Sequence, residues 1–185
     1  MGHFQLTARL WPALKQANGA RVVCLSSRGH FFSDVDFEDP HFHQRPYDKW
    51  VAYGQSKTAN IQFAVGLDAR GEAHHVRAFA MHPGGILTEL VRSMSEDEVR
   101  ASIENSNELE PLKPPEQGAA TTVWCATSDQ LKGMGGVYCE NVDIAEVAPA
   151  ECTVRRGVKA YAVDPKRADR LWTASETWTG IRFTP

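Results

Sequence analysis

A tyrosine and a lysine four residues apart, in Tyr53-Gly54-Gln55-Ser56-Lys57, are the pair in this chain best suited to chemistry. On a helix that spacing puts both side chains on one face, about one turn apart. A phenol ordinarily titrates near ~10, too high to trade protons freely at neutral pH. A neighbouring ammonium favours the phenolate and brings that value down. Tyr53 would then act as a general acid or base, with Lys57 as its electrostatic partner. With four tyrosines and seven lysines in the chain, chance alone gives such a pair in roughly one sequence of this kind in seven. A tyrosine at the edge of a core above a solvated lysine has the same spelling. The elements around the pair must therefore carry the argument.

Those elements alternate. Residues 2–17 bring Phe4, Leu6, Leu10, Trp11 and Leu14 close to helical spacing, and Asn18-Gly19 stops that helix. Arg21-Val22-Val23-Cys24-Leu25 is a short apolar run, expected as a strand buried on both faces of a parallel sheet. Residues 28–46, rich in His, Phe, Asp and Pro, have no period and read as a long loop. A helix over 48–70 follows, with Val51, Ala59, Phe63 and Leu67 as its inward stripe and Gly71 at its end. Val76 to Met81 reads as a second strand, closed by His82-Pro83-Gly84-Gly85. Residues 93–110 are acidic, with Glu96, Asp97, Glu98, Glu104, Glu108 and Glu110, either a solvated helix and loop or a mobile lid. Pro114-Pro115-Glu116 opens a helix to about Thr127, residues 136–139 form a third strand, 143–163 look irregular, and Asp164-Pro165 opens a last helix with Ala168, Leu171 and Trp172. This alternation predicts one α/β domain over residues 1–185, a partial Rossmann-like αβα sandwich on a parallel sheet.

Such sheets bind ligands beyond the carboxyl ends of their strands. Ser26-Ser27 ends the first strand, His82 to Thr88 ends the second, and Tyr53 lies near the start of the helix between them. Three polar features thus converge on one edge, the place to expect an active site.

Composition narrows the classes. The 185 residues are 42% hydrophobic and 23% charged with net charge −3, ordinary for a soluble globule and giving no reason to expect nucleic acid or an anionic membrane. The longest apolar runs fall far short of a membrane span. Neither a secretory signal nor a myristoylation signal is visible, and Cys24, Cys125, Cys139 and Cys152 show no Cys-x-x-Cys spacing. Free thiols in a reducing cytoplasm are the expectation. His30, His41 and His43 could be read as metal ligands, but without a carboxylate or Cys at ligand spacing they read as loop residues. Ser27 lacks the Gly-x-Ser-x-Gly turn of a hydrolase nucleophile. His74-His75 read as surface residues.

Taken in order, the stretches Gly2-His3-Phe4-Gln5-Leu6-Thr7, Arg21 to His30, Tyr53 to Asn60, His82 to Leu90, Pro115 to Ala120 and Arg170-Leu171-Trp172 carry a family likeness. The chain resembles the short-chain dehydrogenases/reductases, especially their retinol-dehydrogenase-like and WW-domain-oxidoreductase-like branch. The resemblance implies hydride transfer between NAD or NADP, NADP slightly favoured, and a small-molecule carbonyl or alcohol of lipophilic character. It implies that Ser27 holds the reacting oxygen, Tyr53 is the acid/base, and Lys57 tunes Tyr53 and holds the cofactor's ribose. It implies further that Pro83, Gly84, Ile86 and Thr88 pack on the nicotinamide and touch the phosphates. A homodimer is implied as well, with Trp11 and Phe63 as candidate contact residues on the first two helices. Two departures stand out. The family opens with a Gly-rich turn that cradles the pyrophosphate on a helix N-terminus, whereas Gly133, Gly135 and Gly136 precede a strand and read as a turn. The family's catalytic asparagine, just before the Gly-His-Phe stretch, has no counterpart where Met1 stands. The resemblance therefore leaves a second reading open, a non-catalytic remnant acting as a dimerising or interaction module.

Overall fold

The computed structural model describes residues 1–86, 88–107, 111–152 and 154–185. Among the described residues five α-helices, α1 (Gly2–Gln16), α2 (Lys49–Gly71), α3 (Glu96–Asn107), α4 (Pro115–Thr127) and α5 (Pro165–Thr179), accompany strands β1 (Arg21–Leu25), β2 (Arg77–His82), β3 (Val137–Glu140) and β4 (Asp143–Ile144). The sheet runs in the order β1-β2-β3-β4. The first three strands are parallel and β4 turns back antiparallel. Asp143–Ile144 and the bridge between Val147 and Val158 lie within the stretch expected to be irregular. Two residues carry too little pattern to announce a strand.

Side chains alternate across the sheet, as strand geometry requires. Cys24, Ala78, Ala80 and Tyr138 face a core built with α1, α2 and α5, where Phe4, Trp11, Phe63, Trp172 and Phe183 pack edge to face and stacked. Phe79, Met81 and Cys139 face the other way and meet Cys125 of α4 and Leu131. The result is the expected αβα layering. Trp11 and Phe63, read as outward dimer contacts, are instead buried in this core, where Trp11 packs on Phe183 and Phe63 stacks on Trp172.

The expectation that β1 is buried on both faces fails. It forms the outer edge of the sheet among the described residues, so Val22 and Val23 are half-buried and Leu25 is 49% exposed. The inward stripe of α2 also shifts. Val51 and Ala59 are only partly covered, while Thr58, Ile61, Gln62, Ala64, Leu67 and Asp68 are buried, because α5 covers a second side of the helix. Asp48 caps α2 by accepting hydrogen bonds from the N–H groups of Trp50 and Val51, and Asp164 caps α5 in the same way.

One ion pair anchors the far end of the sheet. Asp68 of α2 is buried and accepts from Arg77 Nε and Nη2, each at 2.9 Å, and from the Ala78 N–H at 2.9 Å. The glycine cluster is a turn, as expected, with Gly133 and Gly136 at positive φ. Gly135 has no room for a side chain, since a Cβ there would strike the Asp68 carboxylate.

Candidate active site

Two serines end β1 and do different work. The Ser26 N–H continues the ladder to Met81 O, and its hydroxyl donates to Lys57 O at 2.8 Å, tying the sheet to α2 one turn past Tyr53. Ser27 Oγ accepts from the Gly29 N–H at 3.0 Å and so caps the 3-10 turn Arg28–Phe31. Used as an acceptor, that hydroxyl keeps its own proton to donate elsewhere.

Gly29 decides where Tyr53 sits. A Cβ at Gly29 would lie 2.6 Å from Tyr53 Cδ1, closer still to Cε1, and 3.5 Å from Ser27 Oγ. The phenol ring therefore rests directly on the backbone of the turn that Ser27 caps. Gly54 performs the reciprocal service, for a Cβ there would meet Ser33 N at 2.8 Å, Phe32 Cβ at 2.9 Å and Gly29 O at 3.0 Å. Helix and turn thus touch backbone to backbone at Tyr53. Lys57 Nζ lies 5.4 Å from the Tyr53 ring centroid. Burial lowers the Lys57 pKa, and no carboxylate pairs with it among the described residues. Ser27, Tyr53 and Lys57, chosen from spacing and resemblance, are brought to one edge of the sheet.

Pro83, Gly84 and Ile86 follow β2 at the same edge, each partly covered, and Thr88 beyond them is exposed. Leu87 of this motif lies outside the described residues, as do Glu108 and Glu110 of the acidic stretch. Gly84 takes a φ of +99°, with the Lys113 side chain laid over it. Lys113 donates its backbone N–H to Gly85 O at 2.8 Å and its ammonium to Asn141 beyond β3. Ile86 packs so closely on α4 that Gly118 has no room for a side chain.

Several residues of the site were not legible in sequence. His30 is fully buried, donates through Nδ1 to Ser27 O at 2.7 Å and accepts the Lys159 N–H at Nε2. That fixes its tautomer and leaves no lone pair for a metal. Burial pushes its pKa down to about 4. Its carbonyl accepts from Tyr161 and Thr58, so one residue joins the turn, α2 and the segment before α5. His82, at the end of β2, is pushed down to about 3 by burial and by the charges of Arg28 and Lys113. Asn60 donates to Leu25 O at 2.9 Å and meets His3 Nδ1 at 2.7 Å, covering the end of β1. Only the run of histidines hinted at any of this. His41 and His43 lie apart from His30, with His41 against Trp178, and His74 is half-covered by Trp11. No group of three His, Cys, Asp or Glu side chains gathers to hold a metal among the described residues. No helix there is long and apolar enough to cross a membrane.

No family model matches the chain. Individual relatives do. A protein of Streptomyces lividans named "Probable oxidoreductase" is 45% identical over 93% of this chain and 59% of its own length. The "Short-chain dehydrogenase/reductase prx1" of Penicillium roqueforti is 32% identical over 95% of the chain and 52% of its own length. Over nearly its whole length the chain is thus similar to a named short-chain dehydrogenase/reductase. Human retinol dehydrogenase 14 is 31% identical over 98% of the chain and 50% of its own length, which places the retinol dehydrogenases among its relatives. The chain thus spans between half and three-fifths of the length of these relatives. An uncharacterized protein from Mycobacterium paratuberculosis superposes with TM-score 0.65 at 29% identity, covering 98% of this chain and 57% of that one. A 3-oxoacyl-[acyl-carrier protein] reductase from Brucella melitensis has the same fold, with TM-score 0.55 at 24% identity over 76% of this chain.

The nicotinamide cofactor that the family uses can be tested against the residues present. The ribose end fits: Lys57 offers a half-buried ammonium with no carboxylate beside it among the described residues, and Gly84 at the end of β2 is covered only by the flexible Lys113 side chain. The pyrophosphate end does not. Among the described residues no glycine-rich turn joins a strand to a helix N-terminus, the arrangement that would cradle it.

Proposed function

We propose that this chain carries the proton-handling half of a carbonyl/alcohol oxidoreductase site that works with NAD or NADP. The observation that supports the reading is the seating of Tyr53, pressed onto Gly29 beside Ser27 and one helical turn from Lys57. A bound nicotinamide would supply or accept the hydride. The Ser27 hydroxyl donates to the reacting oxygen and fixes its position. As the carbonyl carbon becomes an alcohol carbon, Tyr53 gives that oxygen its proton. The phenolate left behind is stabilised by the Lys57 ammonium, whose field is strong because burial strips it of water. In the reverse direction the same phenolate takes the alcohol proton. Lys57 would also hold the ribose hydroxyls, and Pro83, Gly84 and Ile86 would floor the nicotinamide, with Thr88 toward the phosphates.

The test is Tyr53→Phe, assayed as NADH- or NADPH-dependent aldehyde reduction, in the chain alone and joined to the upstream segment of the Streptomyces lividans relative. Loss of a positioned acid costs about 10²-fold or more. A variant that keeps more than about a tenth of the wild-type rate removes Tyr53 from the role.

A second reading has its own observation. The groove between α1 and β1, of about 250 Å³, is lined by Leu6, Leu10, Leu14, Val22 and Val23, and Leu6 and Leu10 are 58% and 48% exposed. A sheet edge with an apolar wall beside it invites another strand. On this reading the chain is an interaction module that pairs along β1, with itself as a homodimer or with other polypeptide. Sedimentation separates the two: a 20.5 kDa species at micromolar concentration counts against pairing.

A further inference from the structure

Beside Tyr53 stands an aromatic wall that the proton chemistry does not use. Trp50 lies one turn before Tyr53 on α2, and Phe32 abuts Gly54 just after it. Their rings meet edge to face at 5.8 Å, yet they remain 40% and 38% exposed. The Arg155 guanidinium lies over Phe32, 4.8 Å from its centroid. Arg155 pairs with no carboxylate among the described residues. Two residues on, the backbone is anchored, for the Gly157 N–H bonds Glu140 Oε1 at 2.7 Å and the Val158 N–H bonds Glu146 O at 2.9 Å. On the Trp50 side, Lys49 sits 5.5 Å from the indole centroid and is paired with Glu98 of α3, so that cation is already neutralised.

We propose that this wall selects the substrate: a flat, conjugated carbonyl compound, or its alcohol, bearing a carboxylate away from the reacting carbon. Phe32 and Trp50 cover the apolar rings, and Arg155 takes the carboxylate. The argument is one of charge and shape. Exposed rings next to the acid/base suit a planar apolar body. Of the two cations over those rings, only Arg155 has no acidic partner, and a guanidinium recognises a carboxylate with paired N–H donors. The inference names the substrate class for the oxidoreductase reading and rests on it.

The experiment is calorimetric titration of the 185-residue chain with two probes, 2-naphthalenemethanol and 6-(hydroxymethyl)-2-naphthoate. The carboxylate probe should bind about tenfold tighter, and added salt should shrink that ratio. Arg155→Gln should bring the two affinities within about twofold, and Trp50→Ala should weaken both by about fivefold or more. Trp50 is exposed and Arg155 partly so, and the variants should keep the wild-type circular dichroism spectrum. Equal affinities in the wild type, a preference that survives Arg155→Gln, or no binding of either probe overturns the proposal. Binding with the expected ratio, together with no hydride transfer to the matching aldehydes by the protein joined to the upstream segment of the Streptomyces lividans relative, supports the wall as a binding site and removes the oxidoreductase reading instead.

Discussion

Gly29→Ala should damage this protein more than an added methyl normally does. Nothing in the backbone forbids alanine, since Gly29 is not among the residues at positive φ. The obstacle is Tyr53, whose Cδ1 would stand 2.6 Å from the new Cβ with Cε1 nearer still. Restoring ordinary contact at 3.4 Å or more demands a shift of more than about 0.8 Å in ring or helix, an overpacking that costs about 1–3 kcal/mol. Withdrawing the helix from the turn would open the close packing of Gly54 on Ser33, Phe32 and Gly29. The ring must therefore move, and a displacement of that size at a reacting group costs about 10²-fold in rate. The assay is urea unfolding of Gly29→Ala in the wild-type and Tyr53→Ala backgrounds, with turnover measured in the protein joined to the upstream segment. The stability cost should appear with Tyr53 present and shrink to within about 0.5 kcal/mol of zero without it, as a contact-specific coupling. Gly2→Ala, whose Cβ meets nothing within 4 Å, is the neutral control. An equal cost in both backgrounds would refute the reasoning.

Acidification should unfold the protein early. His30 is held neutral with its pKa pushed down to about 4, so it contributes stability that is full above the unfolded value of ~6.5 and drains away as pH falls toward 4. Its share is roughly 3 kcal/mol over that window; thermal melts from pH 7 to pH 4 should show it, and His30→Phe, weaker at pH 7, should show a flatter slope. Asp68→Ala strips the partner from Arg77 and the Ala78 N–H in a buried corner, and urea titration should show a loss of about 3–5 kcal/mol. A loss under about 1 kcal/mol would mean that the corner is wetter than its geometry indicates.

The layers were legible because each rests on a local signal. Asn18-Gly19, Gly71, Pro114-Pro115 and Asp164-Pro165 punctuate the chain where the helices in fact begin and end. The active edge was legible too, since strand ends in a parallel sheet share one side. What the sequence hid depends on distant partners. Val51 and Phe63 look alike as helix positions, and only the arrival of α5 decides that Phe63 is covered and Val51 is not. The same holds for Trp11, whose exposure was expected from its place on α1 but whose ring packs on Phe183 near the far end of the chain. His30 spelled a loop histidine, and its role comes from Lys159 and Tyr161, about 130 residues away. Gly29 carried no signal, because its need for a bare Cα is set by a ring on another element.

The central claim is that this chain holds the nicotinamide and ribose end of a hydride-transfer site without the cradle for the pyrophosphate. Titration calorimetry of the purified 185-residue chain with NADH and with NADPH tests it most directly. Several charge-assisted hydrogen bonds to the phosphates, each worth about 1.5–3 kcal/mol, are missing from the described residues, which should push both dissociation constants beyond about 1 mM. A dissociation constant below about 100 μM for either cofactor, roughly −5.5 kcal/mol, would contradict it.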